Sequence, residues 1–190
     1  MSLEKRVDGV TIPLAPPQTF VCAPLGGEAI PITDRAATVA FQQKVTRLQR
    51  AMLGASRLAG EATTRVQHLK LALNETPSDV TALEQQTRAI EARLKDLDIV
   101  LNGDRVVREH NEPSPATLTE RLNQVVGGAW TTFADPTTTH ERQYTIAASE
   151  YQKMAATLKA IIADLAALEA KAEAAGAPWT PGRLPEWKSE

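Results

Sequence analysis

The chain has 190 residues, of which 43% are apolar and 23% charged, with 21 basic and 23 acidic side chains giving a formal net charge of -2. Those values fit an ordinary globular chain with a real core, and the even mixture of signs excludes the electropositive surface that non-specific nucleic-acid binding requires. Aromatic residues make up only 4%, so the core must be aliphatic and closely packed, which favours helices packed on helices.

Residues 1–33 hold Pro13, Pro16, Pro17, Pro24 and Pro31 around two β-like stretches, 7–11 and 19–22. This is too little for an independent sheet. Cys22, the single cysteine, excludes an internal disulfide and a Cys-based zinc site. It reads as a small half-buried residue of a short strand.

From Thr33 onward the pattern is helical. Phe41, Val45, Leu48, Met52, Ala55, Ala59, Ala62, Val66, Leu69 and Leu73 follow alternating steps of four and three, a sustained heptad seam. The first helix is expected over 34–74, about 60 Å long at 1.5 Å per residue, and a helix of that length requires neighbours along it. Pro77-Ser78 marks a turn, with Ser78 as the expected N-cap of a second helix over 79–101. Its seam is Val80, Leu83, Thr87, Ile90, Leu94, Leu97 and Leu101, and Asn102-Gly103 stops it. A polar loop through Glu112 leads to Ser114-Pro115, an N-cap followed by proline at the first helical position. The third helix, 115–126, is lined by Leu118, Leu122 and Val125 and ends at Gly127-Gly128. Residues 130–134, including Trp130, are expected as a loop. The fourth helix, 137–175, opens at Asp135-Pro136 or at the box from Thr138 to Glu141, and Gly176 and Pro178 end it. Its seam is Tyr144, Ala147, Tyr151, Met154, Leu158, Ile161, Leu165, Leu168 and Ala172. The tail, 177–190, carries Trp179 and Trp187 among prolines.

The first and fourth helices are each about 55 to 60 Å long and the two middle ones sum to about 50 Å. The expected architecture is therefore all-α: a long antiparallel, coiled-coil-like bundle of three arms whose middle arm is broken into two helices, with a short β-like N-terminal extension. Its segments are an extension over 1–33, the bundle over 34–176 and the tail over 177–190.

Candidate chemistry is sparse. His68, His110 and His140 stand outside His-Glu-x-x-His and Glu-x-x-His spacing, so no metal or other cofactor is expected. Gly26-Gly27 and Gly127-Gly128 do not open helices and form no phosphate loop. Gly54 and Gly60 inside the first helix, near small alanines, suggest either a close approach by another backbone or a tryptophan, or simple tolerance in a long helix. Asp96 with Asp98, or Glu109 with Glu112, could be paired acids for glycoside hydrolysis, but charges on such helices read as solvated faces. The chain is expected not to be an enzyme. No uncharged run approaches the ~18 residues of a membrane span, and the opening from Met1 to Arg6 lacks a signal core. A strand-like stretch begins almost at once, which points to a chain cut from a longer protein.

Certain phrases extend this reading: Asp8-Gly9, Gln18-Thr19-Phe20-Val21, Phe41-Gln42 with Lys44, Leu48-Gln49-Arg50-Ala51, Leu101-Asn102-Gly103-Asp104, and the closing run from Trp179 to Pro185. Together they resemble the C-terminal region of large bacterial sortilin-type β-propeller proteins, often labelled glycosyl hydrolases, along nearly the whole chain. The resemblance implies a non-catalytic scaffold or protein-interaction module, the C-terminal accessory domain of a larger periplasmic or secreted protein. Residues 7–22 would then be the last strand or two of a preceding β segment, and no catalytic residue of the parent maps onto this chain. The alternatives are part of a glycoside hydrolase whose catalytic site lies elsewhere, and an amphipathic lipid-surface module, against which the mixed charges argue. Partners would be neighbouring domains of the parent, or a second copy. Trp179, Arg183 and Trp187 are the candidate interaction residues. Trp179 is expected near the end of the fourth helix, and 181–187 along the bundle or against a neighbouring domain.

Overall fold

Asp34 caps the first helix by accepting a 2.9 Å hydrogen bond from the Ala37 amide, and α1 then runs without a break over Arg35–Asn74. In the computed structural model, which describes residues 1–21, 32–131 and 134–182, the other helices are α2 (Thr81–Asn102), α3 (Arg105–Glu109), α4 (Leu118–Thr131) and α5 (Thr138–Ala174). Helix accounts for 69% of the described structure. Strands β1 (Leu3–Val7) and β2 (Val10–Ala15) form an antiparallel hairpin. The chain divides into two units, 1–31 and 32–190.

The heptad seams make the core of the larger unit. Val45, Leu48, Met52, Val66, Leu69 and Leu73 of α1 are buried, as are Ile90, Leu94, Leu97 and Leu101 of α2 and Met154, Leu158, Ile161, Leu165 and Leu168 of α5. Each such side chain contributes about 1.5–3 kcal/mol of hydrophobic stabilisation. Helices α1, α2 and α5 pack on one another pairwise, and α4 packs chiefly on α5 while touching α1 and α2. Leu101 at the end of α2 and Leu118 at the start of α4 are both buried, and Thr119 reaches Asn102 at 3.3 Å. The middle arm is thus α2 followed by α4, interrupted by the short α3. All-α, with a small β extension, is the fold class.

Several boundaries differ from expectation for local reasons. The helix expected from 115 starts at Leu118, because Thr117 and Glu120 form a reciprocal capping box at 2.8 and 3.1 Å. It also continues through Gly127-Gly128, so Trp130 is helical and 79% exposed instead of lying in a loop. A Cβ at 128 would stand 2.3 Å from His140 Cε1, so this glycine admits the imidazole against the α4 backbone. Ser78 does not cap α2. Its hydroxyl donates to the Ala175 carbonyl at 2.9 Å, satisfying a C-terminal carbonyl of α5, and α2 starts at Thr81. Thr137 caps α5 by accepting from the His140 amide at 3.2 Å. At its other end Gly176, with φ +89°, donates to Glu173, and Ala177 donates to Ala172, both at 2.9 Å, the paired bonds of a Schellman cap.

The hairpin corrects the two β-like stretches. Asp8 and Gly9 both have positive φ, 49° and 82°, as a two-residue type I′ turn requires. The turn therefore falls inside the stretch read as a strand over 7–11. Residues 19–21 are not a strand, and Cys22 lies outside the described residues. Val7 pairs with Val10, Lys5 with Ile12 and Glu4 with Pro13, with a register irregularity beside Leu3.

Candidate interaction surface

Two heptad stripes run beside the buried seams and meet along the α1/α5 interface. On α1 the seven-residue steps are Lys44, Ala51, Leu58, Arg65 and Ala72; on α5 they are Ala148, Ala155, Ile162 and Glu169. Where the stripes carry charge, they close. Arg65 donates from Nε to Glu169 Oε1 at 3.0 Å and from Nη2 to Oε2 at 2.6 Å, a bidentate pair. Glu169 is only 2% exposed and Arg65 23%. The hydrogen bond to Glu169 raises the Arg65 pKa, against the opposing effect of burial. Reading the charges as solvated faces fails at this pair. The signal was present, since both residues occupy an otherwise small or apolar heptad stripe.

Where the same stripes carry small residues, they leave a groove of about 370 Å³. Ala51, Gly54 and Leu58 of α1 and Tyr151, Ala155 and Ile162 of α5 line it, with Arg50 and Lys159 at the rim. A Cβ added at Gly54 or at Gly60 would meet nothing within 4 Å. The close approach considered for these two glycines is absent, and the space beside Gly54 is open groove. The close approach occurs instead at Gly128.

The tail turns back after the Schellman cap. Ala177 and Thr180 are buried, Trp179 is 41% exposed, and Pro181 with Gly182 faces Arg65, His68 and Glu169 across a cleft of about 620 Å³. The Thr180 hydroxyl is buried without a hydrogen-bond partner among the described residues. Of the three candidate interaction residues only Trp179 is described; Arg183 and Trp187 lie outside the described residues.

The remaining candidates are dispersed. His68 lines the tail cleft, His110 follows α3 as its C-cap and His140 packs on Gly128. Asp98 accepts from Asn102 at 2.7 Å, Asp96 lies on the α2/α5 side, and Glu109 pairs with Arg105 at 3.2 Å. The described residues contain no group of three or more His, Cys, Asp or Glu side chains able to hold a metal ion. None of their helices is long and apolar enough to cross a membrane.

A carboxylate clasp joins the start of α1 to the α4/α5 connection. Asp135 accepts from the Thr33 amide at 2.8 Å, from the Thr33 hydroxyl, and from the Thr38 hydroxyl at 2.7 Å. The Thr33 hydroxyl, then the Thr38 hydroxyl and the Thr33 amide, hold its pKa down to about 2.

These features define a long three-armed helical bundle with one arm in two pieces, clasped at one end and ion-paired toward the other. Comparison with protein families, curated proteins and solved structures gives no match to this chain.

Proposed function

We propose that the chain is a non-catalytic scaffold or protein-interaction module, acting as an accessory domain of a larger extracytoplasmic β-propeller protein. The observation that carries this reading is the hairpin. Val7, Val10, Ile12 and Leu14 are between 40% and 61% exposed, and alternation from the Val7–Val10 pair places them on a common face with Lys5, which stands opposite Ile12. A two-stranded hairpin is marginal in water, so an apolar face of this kind is the surface a neighbouring β domain would cover. The sequence resemblance to propeller proteins supplies the class of neighbour. The bundle would then act as a rigid strut, because its interior is filled by aliphatic side chains along its length.

Hydrogen exchange tests this directly. Hairpin amides should exchange quickly in the isolated chain and gain protection when the upstream β domain is supplied in the same polypeptide. Unchanged exchange would remove the accessory-domain reading. The purified chain should also turn over no glycoside, ester or phosphate substrate. Reproducible turnover lost on mutating one acidic or histidine residue would overturn the non-enzyme assignment.

A further inference from the structure

We infer that the α1/α5 groove is a receptor for one amphipathic α-helix, supplied by a protein partner, whose apolar stripe is flanked by carboxylates.

The groove has the periodicity of a helix receptor. Ala51 and Leu58 on α1, and Ala148, Ala155 and Ile162 on α5, recur at seven-residue steps on two packed helices, so holes lie where the knobs of a third heptad helix would enter. Gly54 and Ala155 keep the floor low, which allows a backbone to come close. Leu58, 39% exposed, and Tyr151 form walls. The groove follows α5 from Tyr151 to Ile162, about 17 Å at 1.5 Å per residue, which suits the contact stretch of an occupant about two heptads long. An acyl chain would need no such spacing.

Charge selects the occupant. From Arg35 to Gly60, α1 carries basic residues and no acidic one. The side chains of Lys44, Arg47, Arg50 and Arg57 of α1 and Lys159 of α5 have no ion-pair or hydrogen-bond partner among the described residues. Other exposed cations of the bundle carry partners, as Lys70 does with Glu91 at 2.9 Å, Arg93 with Asp164 at 2.5 Å and Arg88 with Glu84 at 3.1 Å, but the acid-free run of α1 offers none on its own helix. Arg50 and Lys159 at the apolar groove, with three further cations on the adjoining acid-free run of α1, repel a basic helix and steer an acidic one. Helix-in-groove recognition then uses i, i+3, i+4 and i+7 anchors for affinity and the rim for orientation. The stripes also fix where the helix stops, because one heptad beyond Leu58 and Ile162 they are closed by Arg65 and Glu169.

This inference rests on the interaction-module reading, but it concerns a different unit from the hairpin, so the two can fail separately. The test is fluorescence anisotropy of a labelled 21-residue synthetic helix (about three heptads) with leucine in its a and d positions and glutamate in e and g. The comparison probes are the same peptide with lysine in place of glutamate, and phosphatidylglycerol vesicles. The acidic peptide should bind the chain and the basic one should not. Arg50→Glu with Lys159→Glu should weaken binding by at least about tenfold, the scale of a lost close charge pair. Gly54→Leu should block the floor while leaving the fold intact, since its Cβ meets open space, and Lys95→Glu on α2 should change nothing. Circular dichroism confirms that each variant is folded. Failure of the acidic peptide to bind, equal weakening by Lys95→Glu, indifference to Gly54→Leu, or vesicle binding that outcompetes the peptide would each overturn the inference. Sedimentation that shows two copies joined through this groove would also overturn it.

Discussion

Removing one side of the Arg65–Glu169 pair should have unequal consequences, because the partners are buried unequally. Glu169 is 2% exposed and Arg65 23%. In Arg65→Ala the buried carboxylate loses its charged partner and the two hydrogen bonds Arg65 donates, a loss of about 3–5 kcal/mol. In Glu169→Ala the guanidinium can reach water along its flexible stem, and the loss should be about 1–2 kcal/mol. Arg65→Met with Glu169→Met replaces the pair by apolar surface of similar volume and should lie within about 1 kcal/mol of the parent or above it. With a urea slope of about 2 kcal/mol per molar, the midpoint should fall by roughly 1.5–2.5 M in the first variant and by under about 1 M in the second. Equal single-variant losses, or a double variant that loses the sum of both, would refute this account of the pair.

Gly128→Ala should destabilise by about 1–3 kcal/mol as an overpacked contact, since its Cβ would meet His140 at 2.3 Å, and adding His140→Ala should recover most of the loss in thermal melts. Gly60→Ala, with open space around its Cβ, should instead stabilise α1 by about 1 kcal/mol. The Asp135 carboxyl is depressed to about 2, so its contribution is present above the unfolded value of about 3.9 and is lost as pH falls toward 2. Asp135→Asn should therefore flatten the acid limb of melting temperature against pH in that window. Leu158→Ala and Leu94→Ala, 3% and 5% exposed, should each lose about 2–5 kcal/mol. Glu91→Ala removes only an exposed pair with Lys70 and should lose about 0.2–1 kcal/mol in urea unfolding.

The long helices were legible because the heptad seam is a strong, redundant signal. Every seam position of α1, α2 and α5 is buried or partly buried against the core. What the seam does not encode was read less well. Asp8-Gly9 is a hairpin turn signal, but apolar Val7 and Val10 on either side made the stretch resemble one strand. Gly127-Gly128 looks like a stop when helix propensity alone is weighed, whereas the contact from His140 keeps the helix going past it. Ser78 is a good cap by type, yet its hydroxyl serves a different helix across 97 positions of sequence. At Gly128 and Ser78 a partner distant in sequence decided the local outcome, while at Asp8-Gly9 the turn chemistry itself did. The groove was partly visible for the same reason: the oddity of Gly54 stood out, but its meaning depended on what α5 placed opposite.

The bundle fixes register at its two ends by polar means and along its length by apolar ones. Near one end Asp135 ties α1 to the entry of α5; toward the other Arg65 and Glu169 join α1 to α5, and Ser78 reaches the α5 terminus. A heptad seam alone permits slippage by seven residues with little change in apolar burial. These bonds do not, because a seven-residue shift of α5 would set Ile162 or Gly176 opposite Arg65 and take Glu169 away from the guanidinium it accepts from. With register held there, the middle of the α1/α5 interface need not pack as tightly, and small residues can remain at Gly54 and Ala155 without making the arms ambiguous. The same arrangement that gives the three arms one alignment therefore leaves an open, cation-rimmed groove between two of them.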